Sequence, residues 1–142
     1  VLVFKHGTAA HINNVQLGKY GRYRTNVWDY AGMSSMGADR LDNLAMHPTV
    51  KPLALVADVL RDASHRGDLV LDAFGGAGST LLAAELTGRK ARLIEIDPRF
   101  VDVTIRRWQQ ETGGTALLHA TGQTFEEVRE ARLGNKEVSH VG

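Results

Sequence analysis

Residues 72–80 read Asp72-Ala73-Phe74-Gly75-Gly76-Ala77-Gly78-Ser79-Thr80 and decide the fold. They continue an apolar, β-prone run that begins at Leu69, and they lead into a helix-forming segment that begins at Ser79. Glycines let the backbone turn tightly and let a ligand approach the main chain, while a helix N-terminus offers unpaired N–H groups and partial positive charge. This order predicts a ligand-binding loop between a buried strand and a helix.

The segments on either side predict an alternation of helices and strands. The predicted order is a helix from Leu53 that ends at residues 64–67, a strand over residues 69–74 buried on both faces, a helix from Ser79 to about Thr87 that Gly88 stops, a strand over residues 91–96, a helix from Asp97-Pro98 to about Thr112, and a helix over residues 125–132. This alternation is typical of an α/β fold with a mostly parallel sheet and flanking helices. The sheet is only a part of a doubly wound domain, since that would need more strands.

The loop and the following strand suggest the type of ligand. No Gly-Lys-Ser/Thr follows the glycines, and Leu81 stands where the dinucleotide pattern has its third glycine. Glu95, at the end of the next strand, is placed to accept hydrogen bonds from both hydroxyls of a ribose. A ribose-bearing ligand without a pyrophosphate fits best. The alternative is a tight strand-to-helix turn, capped by Asp72, with Glu95 as a surface acid.

Composition excludes several classes of site. The 142 residues form one predicted domain with 17 Lys and Arg, 16 Asp and Glu, and a formal net charge of +1, so no overall polyanion partner is indicated. There is no cysteine, and the six histidines are scattered without ligand spacing, so no metal site is expected. No apolar run has the length of a membrane span, and a cytoplasmic protein without a membrane partner is expected. The run Val1 to Phe4 reads as the interior of a strand, which suggests a chain cut from a longer one.

Two motifs carry a resemblance to a known family. His47-Pro48-Thr49-Val50-Lys51-Pro52, followed by a helix and by the loop at residues 72–80, resembles the paired motifs of the S-adenosylmethionine-dependent DNA amino-methyltransferases, in the permuted order of the beta group. The resemblance implies a partial Rossmann-like methyltransferase fold. It also implies that the following residues bind S-adenosylmethionine: Thr49, Lys51, Asp72, Phe74, Gly76, Gly78, Ser79, Thr80 and Glu95. By the family's pattern Thr49 and Lys51 contact the methionine end, the loop wraps the cofactor and Glu95 holds the ribose.

The same resemblance implies a division of the chain and a reaction. Residues 5–46 are a DNA-facing loop region, residues 47–118 the cofactor-binding core and residues 119–142 a C-terminal tail. The implied reaction is site-specific methyl transfer to an exocyclic amino group in DNA, with adenine N6 favoured over cytosine N4, as in restriction-modification systems. The family's catalytic (Asp/Asn/Ser)-Pro-Pro-(Tyr/Phe) motif is absent, since no two of the three prolines are adjacent. No catalytic residue is therefore expected in this chain, which would be inactive without an upstream half, a partner subunit or a homodimer partner.

A local basic cluster marks the candidate DNA contact. Lys19, Arg22 and Arg24 are interleaved with tyrosines that include Tyr23, on a segment from Lys5 to Met46 with little periodicity. Cationic side chains neutralise phosphates and aromatic rings stack on unpaired bases. The alternative is a solvated loop whose aromatic rings pack onto the sheet, and packing is the expectation for Trp28. Arg106 and Arg107 are expected on a solvated helix face.

Three other functions remain open from the sequence. One is a non-catalytic module or subunit that binds S-adenosylmethionine or DNA and is completed by a separate catalytic half. The others are a methyltransferase acting on RNA or on a small molecule, of which the permuted motif order argues against the small-molecule enzyme, and a nicotinamide enzyme, against which Leu81 argues.

Overall fold

A computed structural model describes residues 4–21, 23, 25, 27–30 and 51–138. The order of elements is α1 (Leu53–Ala63), β1 (Leu69–Asp72), α2 (Ser79–Thr87), β2 (Lys90–Leu93), α3 (Pro98–Thr112) and α4 (Phe125–Val138). The predicted sequence of helices and strands is therefore confirmed. None of these helices is long and apolar enough to span a bilayer.

The two strands form a parallel pair. Leu69 pairs with Lys90 and Asp72 pairs with Leu93, so both strands end at the same edge of the sheet. Helix α2 connects them, which is the βαβ unit that the alternation predicts. The loop at residues 73–78 consequently leaves the sheet beside the end of β2.

The core lies between α1, α2 and one face of the sheet. Its buried residues are Ala57 and Leu60 from α1 and Ala83 and Ala84 from α2, and Val70 of β1 packs against them. The alanines lack long side chains, so they allow the two helices to approach closely, as in ridge-and-groove packing. The small core leaves the position of β1 dependent on few contacts.

The opposite face of β1 is exposed, which corrects the expectation of a strand buried on both faces. Leu69 is 64% exposed and Leu71 69% exposed, whereas Val70 between them is half-buried. Alternate residues of a strand point to opposite faces, and the described residues cover only the face towards α1 and α2. The continuous apolar run predicts a strand buried on both faces. The described residues bury only one face of it.

Helix ends follow local sequence signals. Pro52 is the N-cap residue of α1, Asp97 caps α3 by accepting a hydrogen bond from the Arg99 N–H at 2.9 Å, and Gly88 ends α2 in a left-handed conformation with φ 73°. Helix α4 continues past Gly134 to Val138, beyond the predicted end at residue 132. A glycine within a helix costs only about 1 kcal/mol, so it need not end one.

The irregular segment before α1 is attached to that helix at two points. The Asn14 side chain donates hydrogen bonds to the carbonyls of Arg61 and Ser64, both at 2.8 Å. The Tyr30 hydroxyl donates to the Asp58 carboxylate at 2.6 Å. Trp28 is half-buried and makes an edge contact with Tyr30.

Candidate functional site

The candidate site is a cleft at the edge of the sheet where both parallel strands end. It encloses about 270 Å³ and lies against the loop between β1 and α2. Its lining residues are Lys51, Asp72, Phe74, Gly75, Gly76, Ala77, Ser79, Thr80, Glu95 and Phe100. The carboxyl end of parallel strands is where open α/β folds bind their ligands.

The glycine loop has a backbone that only glycine adopts easily. Gly76 has φ 52° and Gly78 has φ 79°, both in the left-handed region. At Gly78 an added Cβ would lie 2.6 Å from Thr104 Cγ2 of α3, a distance that real Cβ atoms essentially never show. The loop therefore needs glycine at residue 78 both for its conformation and for its close approach to α3.

Asp72 holds the start of this loop. One carboxylate oxygen accepts a hydrogen bond from the Phe74 N–H at 2.9 Å, and the other accepts one from the Thr80 hydroxyl at 2.6 Å. Asp72 is the last residue of β1 and Thr80 lies in the first turn of α2. The carboxylate thus ties the two ends of the turn together, which is the capping role that the sequence left open.

Glu95 holds the middle of the loop from the side of β2. Its carboxylate accepts hydrogen bonds from the Gly76 N–H at 2.7 Å and from the Asp97 N–H at 2.9 Å. These bonds, chiefly the one from Asp97 and then the one from Gly76, lower the pKa of Glu95 because they favour the charged form. Glu95 lies two residues beyond the end of β2 at Leu93, slightly later than predicted.

Lys51 and Ser79 join the N-terminus of α1 to that of α2. The Ser79 hydroxyl donates a hydrogen bond to the Lys51 carbonyl at 3.2 Å. Gly78, the N-cap residue of α2, has no side chain with which to satisfy the first N–H groups of that helix. Lys51 and the N-terminus of α2 together make one part of the cleft electropositive, although both acids of the cleft lie nearby.

Two aromatic residues contribute the apolar surface of the cleft. Phe74 is 86% exposed, an unusual position for a phenylalanine in a folded domain. Phe100, in the first turn of α3, was not predicted to belong to the site. Phe100 could have been identified from its position in the sequence. It lies five residues after Glu95, in the first turn of the helix that follows β2.

The structure brings together most of the predicted cofactor residues. Lys51, Asp72, Phe74, Gly76, Ser79, Thr80 and Glu95 line one cleft, while Gly78 caps α2 beside it. Thr49 lies outside the described residues. Sequence reasoning missed Gly75, Ala77 and Phe100 as lining residues.

Arg107 was predicted to lie on a solvated face of α3, and this prediction is wrong. Its half-buried guanidinium donates a hydrogen bond to the Ala77 carbonyl of the glycine loop. Arg106 is exposed, as expected, and lies over the ring of Phe125 with its guanidinium carbon 5.5 Å from the ring centroid. Adjacent arginines on a helix point about 100° apart, so only one of them reaches the loop.

The predicted DNA contacts are only partly described. Tyr20 and Tyr23 are 76% and 86% exposed, so neither packs onto the sheet as the alternative interpretation required. The Lys19 ammonium lies 5.1 Å from the centroid of the Tyr20 ring. Arg22 and Arg24 lie outside the described residues.

Comparison with known proteins identifies the family. A family model described as DNA methylase, for N6 and N4 methyltransferases, matches residues 5–106. DNA adenine methyltransferase YhdJ of Escherichia coli (strain K12) is 31% identical over 110 residues, which are 78% of this chain and 34% of that protein. Type II methyltransferase M2.MboI of Moraxella bovis is 29% identical over 111 residues, which are 76% of this chain and 39% of that protein.

A solved structure agrees with the fold. The chain is 30% identical to the cytosine-N4-specific PvuII DNA methyltransferase, with a TM-score of 0.51 over 60% of this chain and 32% of the other. This likeness confirms the predicted Rossmann-like α/β fold class. The chain spans only about a third of the length of these relatives, 34% and 39% of the two above. The family match covers most of the chain, at residues 5–106, and this chain therefore belongs to the DNA methylase family of N6 and N4 methyltransferases.

Proposed function

We propose that this chain binds S-adenosylmethionine in the cleft at residues 72–80 and serves as the cofactor-binding part of a DNA amino-methyltransferase. The observation that carries the proposal is the joint placement of the glycine loop, Asp72 and Glu95 around one cleft at the end of two parallel strands. Membership of the DNA methylase family supports S-adenosylmethionine as the cofactor.

The charges of the cleft suit this ligand better than a dinucleotide. The cleft contains two acids, Asp72 and Glu95, and one lysine, Lys51. A pyrophosphate would be repelled by the two carboxylates, since like charges in close proximity are unfavourable. S-adenosylmethionine carries an ammonium, a sulfonium and one carboxylate. The two acids of the cleft can therefore attract its positive groups, and the lysine can attract its carboxylate.

Individual residues have the chemistry for each part of the ligand. Lys51, two residues before α1, can pair with the methionine carboxylate. The Glu95 oxygens accept the N–H groups of Gly76 and Asp97, and each oxygen can accept more than one hydrogen bond, so the carboxylate can accept the ribose hydroxyls without breaking the loop. Phe74 and Phe100 offer apolar surface beside it. Thr49 is proposed at the methionine end from its place in the motif.

The proposed reaction is methyl transfer to an exocyclic amine, with adenine N6 favoured over cytosine N4. When bound, S-adenosylmethionine supplies an electrophilic methyl group on sulfur, and catalysis then depends mainly on holding the amine in line with it. The chain's own contribution is to fix the cofactor through the loop and Glu95. The family's Pro-Pro-aromatic motif is absent from these 142 residues. We therefore propose that an upstream segment, in the permuted order of the beta group, or a second subunit supplies the acceptor-binding half.

Calorimetric titration with S-adenosylmethionine tests the cofactor site. We expect the wild-type chain to bind and the double variant Asp72→Ala, Glu95→Ala to lose binding. The double variant Glu126→Ala, Glu130→Ala removes the same two charges from exposed positions of α4 and should bind as the wild type does. A folded wild-type chain that does not bind, or an Asp72, Glu95 double variant that binds equally well, would contradict the proposal.

The basic aromatic cluster is proposed as a DNA contact. Its support is the exposure of Tyr23 and the charge of Lys19, with Arg22 and Arg24 proposed on the same grounds from the sequence. Fluorescence anisotropy with a duplex containing one mismatched base tests it. Lys19→Gln should weaken binding and reduce the salt slope by about one, and Tyr23→Ala should weaken binding by about 1–3 kcal/mol. Lys90→Gln, at the other end of the sheet, is the control, and equal binding by all variants would reject the contact.

A further inference from the structure

Helix α3 holds the glycine loop from the side away from the ligand. The Thr104 hydroxyl donates a hydrogen bond to the Gly76 carbonyl at 2.9 Å. The Arg107 guanidinium donates to the Ala77 carbonyl, one residue further along the loop. Thr104 and Arg107 lie three residues apart on α3, so they share one face of the helix. Two successive loop carbonyls are thus bonded to one helix face.

These two bonds orient the peptides of the loop, within which the Gly78 N–H also donates to the Gly75 carbonyl at 3.0 Å. In a trans peptide the carbonyl and the following N–H point in opposite directions. With the carbonyls of Gly76 and Ala77 bonded to α3, the N–H groups of Ala77 and Gly78 must point away from that helix. The Glu95 carboxylate meanwhile holds the Gly76 N–H. The orientation of each peptide between residues 75 and 78 is consequently determined by a side chain or by the turn itself.

Thr104 also fits the shape of the loop. An added Cβ at Gly78 would lie 2.6 Å from its methyl carbon and 2.8 Å from its hydroxyl oxygen, so the loop backbone rests directly on this side chain. Neither Thr104 nor Arg107 belongs to the lining of the cleft. Any effect that they have on a ligand in the cleft must therefore pass through the loop.

We propose that Thr104 and Arg107 are positioning residues, which keep the glycine loop in the conformation that binds S-adenosylmethionine without contacting the ligand themselves. The inference rests on the proposed cofactor site and adds the part of α3 that maintains it. The Arg107 guanidinium is half-buried and bonded to the loop, whereas the guanidinium of the neighbouring Arg106 is exposed and lies over Phe125.

The experiment compares matched variants in two measurements. Thr104→Val keeps the shape of the side chain and removes the hydroxyl, whereas Thr104→Ser keeps the hydroxyl and removes the methyl group. Arg107→Met keeps an apolar stem without the guanidinium, and Arg106→Met is its control. The first measurement is the Kd for S-adenosylmethionine by calorimetry, well below the melting temperature. The second is the amide hydrogen exchange of residues 75–79 in the ligand-free chain.

We expect Thr104→Val and Arg107→Met each to weaken binding by about tenfold, because an unpaired loop carbonyl can then reorient. Both should also speed exchange at the Gly76 amide. Thr104→Ser and Arg106→Met should stay within about threefold of the wild-type Kd, since neither loses a bond to the loop. A merely structural role would lower the melting temperature and leave the Kd of the folded chain unchanged.

Each outcome decides the proposal. Wild-type affinity and wild-type exchange in both Thr104→Val and Arg107→Met would overturn it. If Arg107→Met does not fold, the comparison of Thr104→Val with Thr104→Ser decides alone. If the wild-type chain fails to bind S-adenosylmethionine, the proposed function fails, and the exchange measurement still decides whether these residues hold the loop: faster exchange in Thr104→Val than in Thr104→Ser supports it, and equal exchange rejects it.

Discussion

Asp72 and Glu95 both use their carboxylates to shape the loop between them. Asp72 bonds the Phe74 N–H and the Thr80 hydroxyl, and Glu95 bonds the N–H groups of Gly76 and Asp97. A carboxylate oxygen can accept more than one hydrogen bond, so the same groups that hold the loop remain able to bind a ligand. Structural and ligand-binding roles are therefore compatible at these two residues.

Glu95 makes the stability of the chain depend on pH. Its N–H partners lower its pKa below the usual value of 4.5, so its contribution is present above that value and is lost as the pH falls through the lowered pKa. Glu95→Gln should melt at a lower temperature than the wild type at neutral pH, and the difference should shrink in acid. Thermal unfolding followed by circular dichroism from pH 7 to about pH 3 measures this. A difference that stays constant across this range would show that the charge of Glu95 is not involved.

Gly78 is expected to tolerate no side chain. Gly78→Ala combines a left-handed φ of 79° with a contact of 2.6 Å to Thr104 and should lower the free energy of unfolding by about 2–4 kcal/mol. Gly122→Ala is the matched control, because Gly122 has φ 73° with no atom within 4 Å of its added Cβ, and it should cost only about 1 kcal/mol. Denaturant unfolding measures both. Equal losses would mean that the approach of the loop to α3 is not tight.

The residues of the site differ in how far the sequence alone predicts them. Asp72 and the glycines were predicted because their role depends on neighbours within the same turn, and Glu95 because parallel strands place it at the same edge. Thr104 and Arg107 were missed, since their contacts with the loop join residues 28 and 30 positions apart. No local pattern distinguishes Arg107 from Arg106, and only the rotation of α3 against the loop decides which arginine is bonded.

At the scale of elements, local sequence signals correctly predict where most of the helices begin and end. Gly88, Asp97, Pro98 and Gly113 each lie at the helix end where their chemistry predicts them. The strands are shorter than the apolar runs that predicted them, ending at Asp72 and Leu93. Just beyond those points the Ile94 N–H still donates to the Asp72 carbonyl at 2.9 Å, whereas Phe74 and Glu95 line the cleft, and hydrophobicity alone does not reveal this change.

Arg89 joins the C-terminal ends of α1 and α2. Its guanidinium donates to the carbonyls of Ser64 at 2.6 Å and Thr87 at 2.6 Å, groups that have no partner within their own helices. Arg89→Met should lower the free energy of unfolding by about 1–3 kcal/mol, because the half-buried carbonyls lose a charged donor. Arg129→Met, which removes only an exposed pair with Glu126, should change it by less than about 1 kcal/mol. Urea unfolding of both variants checks this, and similar small losses would contradict the capping role.

For the molecule as a whole, the sheet is covered on one face only within the described residues. Leu69 and Leu71 lie on the open face, whereas Val70 packs on the core. The sequence predicts the strand but not that one of its faces is exposed, because an apolar run does not indicate which face packs against other elements. The fold class was predictable, and the extent of burial depends on chain segments that pack across the sheet.

Because only one face of β1 is covered, substitutions at neighbouring residues of this strand should change the free energy of unfolding by different amounts. Leu71→Thr should change the free energy of unfolding by less than about 0.5 kcal/mol, since the side chain is already exposed, and it should reduce self-association. Val70→Thr should cost about 1–2 kcal/mol, because it places a hydroxyl against the core. Denaturant unfolding and light scattering test the pair. A large loss of stability for Leu71→Thr would mean that the open face is packed in solution.

We propose above that the cleft formed by the glycine loop, Lys51 and Glu95 binds S-adenosylmethionine. The most direct test is a titration of the ¹⁵N-labelled chain with S-adenosylmethionine, followed by backbone amide chemical shifts. We expect saturable shifts at residues 75–80 and 95–97, with the amides of α4 unchanged. Shifts confined to other parts of the chain, or none in a folded chain at saturating ligand, would contradict it.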